Sequence, residues 1–166
     1  TIHFGVETST NEGLKMLNKN ITVEQIETAF SAAQKAGIRT MAYFMIGLPF
    51  EENAGYMQKT LDFAKKLKCS YALFNIFVPF PNTYLYNKAL DKGLIKESEW
   101  NDYLAGKNLN FIPPVWSEYF CAGDLKDLLN KINKNFYFNI NYIVRFLSDL
   151  KNYHFPLRKF KAFLGI

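Results

Sequence analysis

The sequence predicts an α/β protein built on a parallel sheet, and three observations carry that prediction. Three runs rich in aromatic and branched apolar residues, 2–6, 40–47 ("TMAYFMIG") and 71–79 ("YALFNIFVP"), read as strands. No hairpin turn joins one to the next. Instead, connections of roughly 30 residues separate them and carry helical signals, the length of a βαβ crossover.

Each connection has readable ends. "STNE", from Ser9 to Glu12, has the spacing of a capping box, and "TVEQ", from Thr22 to Gln25, repeats it with glutamine. In the helix after Thr22, Val23, Ile26, Ala29, Phe30 and Ala33 recur at helical period, and Gly37 is placed to end it. A third helix, about residues 55–68, turns Met57, Leu61, Ala64 and Leu67 inward. "PFPNT" is a turn, followed by a short helix over 84–92 that Gly93 stops. "FIPPVW", residues 111–116, is a proline-broken connection and the expected boundary between a unit of residues 1–110 and a mostly helical extension of 111–166. In that extension Leu125, Leu128, Leu129 and Ile132 look like ordinary helix core.

Length and composition narrow the class. The chain has 166 residues, 49% of them hydrophobic and 17% aromatic, which suits one domain with a substantial appendage. No apolar run approaches the roughly 20 residues that span a bilayer. Two cysteines, Cys69 and Cys121, are too few for a disulfide scaffold, an iron–sulfur cluster or a structural zinc, and read as packed thiols. With no secretory pattern, a reducing cytoplasm is the expected compartment. The formal charge of +5 is spread among acids except in residues 151–161, so neither nucleic acid nor membrane is an expected partner. Three strands leave unpaired edges that neighbouring strands would cover, so the chain is expected to be part of a longer protein.

Ligands of parallel α/β proteins bind at the carboxyl ends of the strands, here near 7–9, 47–49 and 77–81. Strand parity separates an apolar face from one that carries His3, Gly5 and Glu7, then Met41, Tyr43, Met45 and Gly47, then Leu73, Asn75 and Phe77. Glu7 is the leading candidate, because a buried carboxylate must meet a donor: a loop amide, Lys19 or a ligand. Lys19 serves equally as a solvated helix-end cation. His3 reads as a hydrogen-bonded core histidine, and Glu51 and Glu52 as residues of a helix start. Gly47 and Pro49 make a turn, where glycine would also let a flat ligand approach the backbone. No Ser–His–Asp set, phosphate-binding glycine loop or metal-spaced His/Cys group is present, and no catalytic or metal-ligating residue is identified.

"GVETSTNEGLKMLNKNITVEQIETAFSAAQKAGIRTMAYFMIGLP", then "VPFPNTYLYNKALDKGLI" and Trp100, resembles the second half of a radical S-adenosylmethionine (SAM) enzyme core. The group it resembles is the one often carrying a cobalamin-binding domain, such as enzymes similar to anaerobic magnesium-protoporphyrin ester cyclase. The tail "FYFNINYIVRFL" is similar to that group's C-terminal pattern. Asn82 and Phe50 stand where the family usually has glycine, and Asn139 and Ile140 replace its usual Arg-Pro.

The resemblance implies a partial (β/α) TIM-type barrel, contributing the fourth to sixth strands. It implies SAM as cofactor, cleaved reductively to a 5′-deoxyadenosyl radical by a 4Fe-4S cluster whose cysteines lie outside this chain. It further implies Glu7 near the ribose hydroxyls with Ser9 beside it, and Lys19 toward the SAM carboxylate. Tyr43 stands where some relatives use an acidic ribose contact. Gly47 lies against the adenine, and Phe77 and Val78 lie on the strand that pairs with its edge. Cobalamin enters by family association alone. The expected partners are the N-terminal remainder of the same protein and a small-molecule substrate of unknown identity, and the chain alone is expected to show no turnover. Two other readings stay open: a non-catalytic half-barrel binding module with a basic aromatic tail, and an unrelated barrel enzyme using Glu7 as general base.

Overall fold

The computed structural model describes residues 1–107 and 110–151. Strands β1 (Ile2–Glu7), β2 (Thr40–Ile46) and β3 (Tyr71–Ile76) form one parallel sheet in sequential order. Between them run helices α1 (Asn11–Met16) and α2 (Val23–Lys35), then α3 (Ala54–Lys66). After β3 come α4 (Tyr84–Asp91), α5 (Glu97–Leu104), α6 (Ala122–Tyr137) and α7 (Ile140–Lys151). No helix among the described residues is long and apolar enough to cross a membrane.

The two sheet faces differ as the residue parity predicts. Val6, Ala42, Phe44, Ile46, Ala72 and Phe74 are buried beneath Ile26 and Phe30 of α2, Leu61 and Ala64 of α3, and Ile132 and Phe136 of α6. On the opposite face His3, Gly5, Leu73 and Asn75 are exposed, and Met41, Tyr43 and Met45 are half-buried. A second apolar cluster of Leu48, Phe77, Tyr86, Trp100 and Trp116 sits beyond the carboxyl ends of the strands and seats α4 and α5. The residues 151–161 expected to be basic lie outside the described side chains.

Helix ends follow local chemistry. Thr22 caps α2 through a reciprocal capping box, its hydroxyl accepting from the Gln25 amide at 3.3 Å while the Gln25 side chain accepts from the Thr22 amide at 2.9 Å. Thr22→Ala is expected to cost about 1 kcal/mol, read as a lower urea midpoint with an unchanged slope. Gly37, at φ +67°, closes the same helix: its amide bonds the Gln34 carbonyl and the Ile38 amide bonds the Ala33 carbonyl.

Four expectations need correction. The cap of α1 is Thr10, whose hydroxyl accepts from the Gly13 amide at 3.1 Å; Ser9 instead shares a 3.4 Å hydrogen bond with Thr60 of α3. The bulge at Val6 and the positive φ of Glu7 come between the strand and this cap. Glu51 and Glu52 lie outside α3, which Asn53 caps by accepting from the Gly55 amide at 2.9 Å. His3 is hydrogen-bonded but is not a core residue, since its face of the sheet carries no helix among the described residues. Finally, β3 ends at Ile76, ahead of the proline-rich turn.

Candidate functional site

The rim at the carboxyl ends of the strands is shaped first by a break in β1. Gly5 pairs with Tyr43 and Glu7 with Phe44, so Val6 is the extra residue of a β-bulge. Glu7 takes φ +67°, an uncommon conformation for a residue with a side chain. Together these turn the Glu7 carboxylate back over Gly5: a Cβ added at Gly5 would stand 2.8 Å from Glu7 Oε1. Gly5 is thus the residue that makes room for the acid.

Lys19 reaches the same place from α1. Asn18, at φ +55°, ends that helix with its amide on the Lys15 carbonyl, while the Lys19 amide bonds the Leu14 carbonyl. Lys19 Nζ then donates to Glu7 Oε1 at 2.9 Å, with the side chains 40% and 17% exposed respectively. The internal partner considered for Glu7 is therefore present. Because both groups keep contact with solvent, the pair is an accessible charged site and contributes only about 0–1 kcal/mol to stability.

Beside Asn18 lies a cleft of about 280 Å³, lined by Met16, Leu17, Phe77, Val78, Phe80 and Tyr84 among others. Its walls come from the end of α1 and from the turn that follows β3. Asn82 in that turn adopts φ +65°. Asparagine tolerates this left-handed conformation better than most other residues with side chains, which suits it to the turn.

Two other expected site residues meet neighbours within the chain. Gly47 has φ +74°, and the space where its side chain would stand is filled by Leu125 of α6, whose methyls lie 2.9 Å from an added Cβ. Its glycine is required both by the turn and by the packing of α6. Tyr43 lies on the open sheet face, where its hydroxyl and His3 Nδ1 share a 2.8 Å hydrogen bond.

Sequence reasoning missed the main feature of the middle rim, which is Glu51. Its side chain is 1% exposed. Oε2 accepts from the Leu48 amide at 3.0 Å, whereas Oε1 is buried without a partner. Burial pushes this acid up to about 7, against the opposing pull of the Leu48 and Gly47 amides. Nothing in the local pattern "PFEEN" announces this, since either adjacent acid could have turned inward.

The remaining features fit other roles. A larger groove, about 640 Å³, runs between α6 and α7 and is lined by Tyr137, Phe138, Tyr142 and Phe146 among others. It lies near the start of β3: the Tyr142 hydroxyl donates to the Ser70 carbonyl at 3.0 Å, and Arg145 donates to the Cys69 carbonyl at 2.8 Å. It is therefore at the opposite end of the sheet from the rim. The donors present do not fit an iron–sulfur cluster. Cys69 is buried, its thiol pushed up to about 12 by that burial, and Cys121 caps α6. Among the described residues no group of three or more His, Cys, Asp or Glu converges on one point.

No family model matches the chain. It is similar to an uncharacterized methyltransferase of Pyrococcus horikoshii, 30% identical over 155 residues, covering 93% of this chain and 32% of that protein. It is also similar to the anaerobic magnesium-protoporphyrin IX monomethyl ester cyclase of Rubrivivax gelatinosus, 26% identical over 165 residues, covering 98% of this chain and 28% of the cyclase. A third relative is the bacteriochlorophyllide d C-12(1)-methyltransferase of Chlorobaculum tepidum, 25% identical over 100 residues, covering 60% of this chain and 21% of that enzyme. The chain thus spans at most about a third of the length of these relatives.

Proposed function

We propose that this chain is the C-terminal portion of a radical SAM enzyme and supplies the ribose and adenine side of its SAM site and part of the substrate wall. The observation that carries the proposal is the placement of an accessible Glu7–Lys19 pair and an apolar cleft on one rim of the sheet. Three parallel strands in sequential order, with helices on one face and none on the other among the described residues, suit a segment of a (β/α) barrel whose lumen is that second face. On this reading residues 1–110 form the barrel segment and 111–166 its extension. The names of the similar proteins, two methyltransferases and a cyclase, agree with a SAM-dependent enzyme.

The residues present fit the nucleoside. A carboxylate accepts from two neighbouring hydroxyls at once, which suits Glu7 to the ribose diol, with the Ser9 segment beside it. The Lys19 ammonium is placed to meet a carboxylate when it exchanges its contact with Glu7 for the ligand. Phe77 and Val78 line the cleft and give a flat base apolar contact. Tyr43 and Gly47 shape the neighbouring wall and turn. When bound in the whole protein, SAM would supply a 5′-deoxyadenosyl radical on reductive cleavage by a 4Fe-4S cluster held outside this chain. The residues here bind and orient; they transfer no electron. The open sheet face would also supply part of the substrate wall.

The reading expects a C-x-x-x-C-x-x-C motif in the polypeptide encoded upstream of Thr1, and a gene without it overturns the reading. In that whole protein, purified anaerobically, Glu7→Ala should weaken SAM binding by roughly 10- to 100-fold, as for losing a charged hydrogen-bond acceptor. Equilibrium binding measures this, and unchanged affinity removes Glu7 from the site.

A further inference from the structure

Glu51 does more than fill space between β2 and α3. Its side chain and its backbone grip the same residue: Oε2 accepts from the Leu48 amide at 3.0 Å, and the Glu51 amide donates to the Leu48 carbonyl at 2.9 Å. A buried carboxyl with one idle oxygen is an expensive core residue. A leucine would fill such a space at lower cost, so the useful part is the oxygen that accepts.

The clasped turn touches the other two strand ends. Leu48 packs in the cluster that contains Phe77, a wall of the rim cleft. The Phe77 amide in turn bonds the Ile46 carbonyl at 2.8 Å. On the other side, the Phe50 ring lies 2.6 Å from where a Cβ of Gly13 would stand, so α1 rests directly on the turn. The carbonyl of Gly13 accepts from the Leu17 amide, in the last turn before Asn18 and Lys19. One acid thereby ties β2 to the elements that carry Lys19 and Phe77.

We propose that Glu51 is a positioning residue: by clasping Leu48 it sets the spacing between the Glu7–Lys19 pair and the Phe77 cleft, and so the affinity of the rim for a nucleoside ligand it does not touch. This rests on the SAM reading of the rim. The contribution is geometric, so an uncharged acceptor of the same length performs it.

The test compares Glu51→Gln and Glu51→Leu in the whole protein, with S-adenosylhomocysteine as the probe. Glu51→Gln keeps an acceptor and should bind within about threefold of wild type. Glu51→Leu keeps the volume but loses the acceptor, and should bind about tenfold more weakly, the effect of one lost hydrogen bond. Hydrogen exchange at the Leu48 amide should speed up in Glu51→Leu and not in Glu51→Gln, with the Phe44 amide in mid-sheet unchanged as evidence of intact folding. Wild-type affinity in Glu51→Leu overturns the proposal, as does a Leu48 amide that exchanges at the wild-type rate. If wild type itself fails to bind the probe, the SAM reading fails and the affinity claim falls with it. The Leu48 exchange rates then still decide whether the clasp exists.

Discussion

Phe44→Ala is expected to destabilise the protein by about 4 kcal/mol, within the range for emptying a phenylalanine site in a packed core. Phe44 occupies the middle strand and is 0% exposed. Its ring stacks on Phe74 of β3 with centroids 5.2 Å apart and meets Phe63 of α3 edge-on at 6.5 Å. Alanine would lose the apolar burial of the ring and both aromatic contacts, and strands on either side leave the cavity little freedom to collapse. Phe44→Leu refills most of that volume and should cost about 1–2 kcal/mol. Urea unfolding checks both, with the loss read from the midpoint at constant slope. A loss below about 1.5 kcal/mol for the alanine variant would contradict a packed centre at this position.

The second large effect is a pH dependence that originates at Glu51. Its folded value near 7 lies above the ordinary 4.5 of a glutamate. Between those values the folded protein keeps a proton that the unfolded chain has released. Stability from this group is therefore fully present below about pH 4.5, declines as pH rises, and is lost above about pH 7. The shift corresponds to about 3 kcal/mol across that window. Glu51→Gln cannot titrate, so the stability difference between wild type and this variant should change by about 3 kcal/mol between pH 4.5 and 8, wild type losing ground at high pH. Other titrating groups cancel in that difference. Urea unfolding at a series of pH values measures it, and a difference that stays constant would show the carboxyl to be solvated.

Much of the architecture was readable from the chain because it rests on near-neighbour chemistry. The apolar spacing of α2, the Thr22–Gln25 box and the glycine at 37 each need only a few consecutive residues, and all three stand as expected. The same holds for strand parity, which separated the face under Phe30, Leu61 and Phe136 from the face carrying His3 and Tyr43. Where reading failed, the cause was a partner distant in sequence or a local ambiguity. Ser9 and Thr10 are both acceptable caps, and only the fold decides between them. Glu51 and Glu52 are chemically identical, and only the packing of Leu48 and Phe50 sends the first of them inward.

The candidate site divides along the same line. The sequence placed Glu7, Phe77 and Val78 at strand ends and Lys19 at a helix end, and the structure brings these onto one rim. It could not show that Glu7 would fold back over Gly5 to meet Lys19, because that depends on a positive φ and a register shift against β2. Nor could it show that Gly47 would be covered by Leu125, a residue of a helix formed far along the chain. The sequence by itself determined where the three strands and every helix but α5 lie, and which face of the sheet is apolar. Only tertiary structure decided which polar groups meet, since periodicity is a property of consecutive residues whereas burial and charge pairing belong to whatever surface arrives opposite.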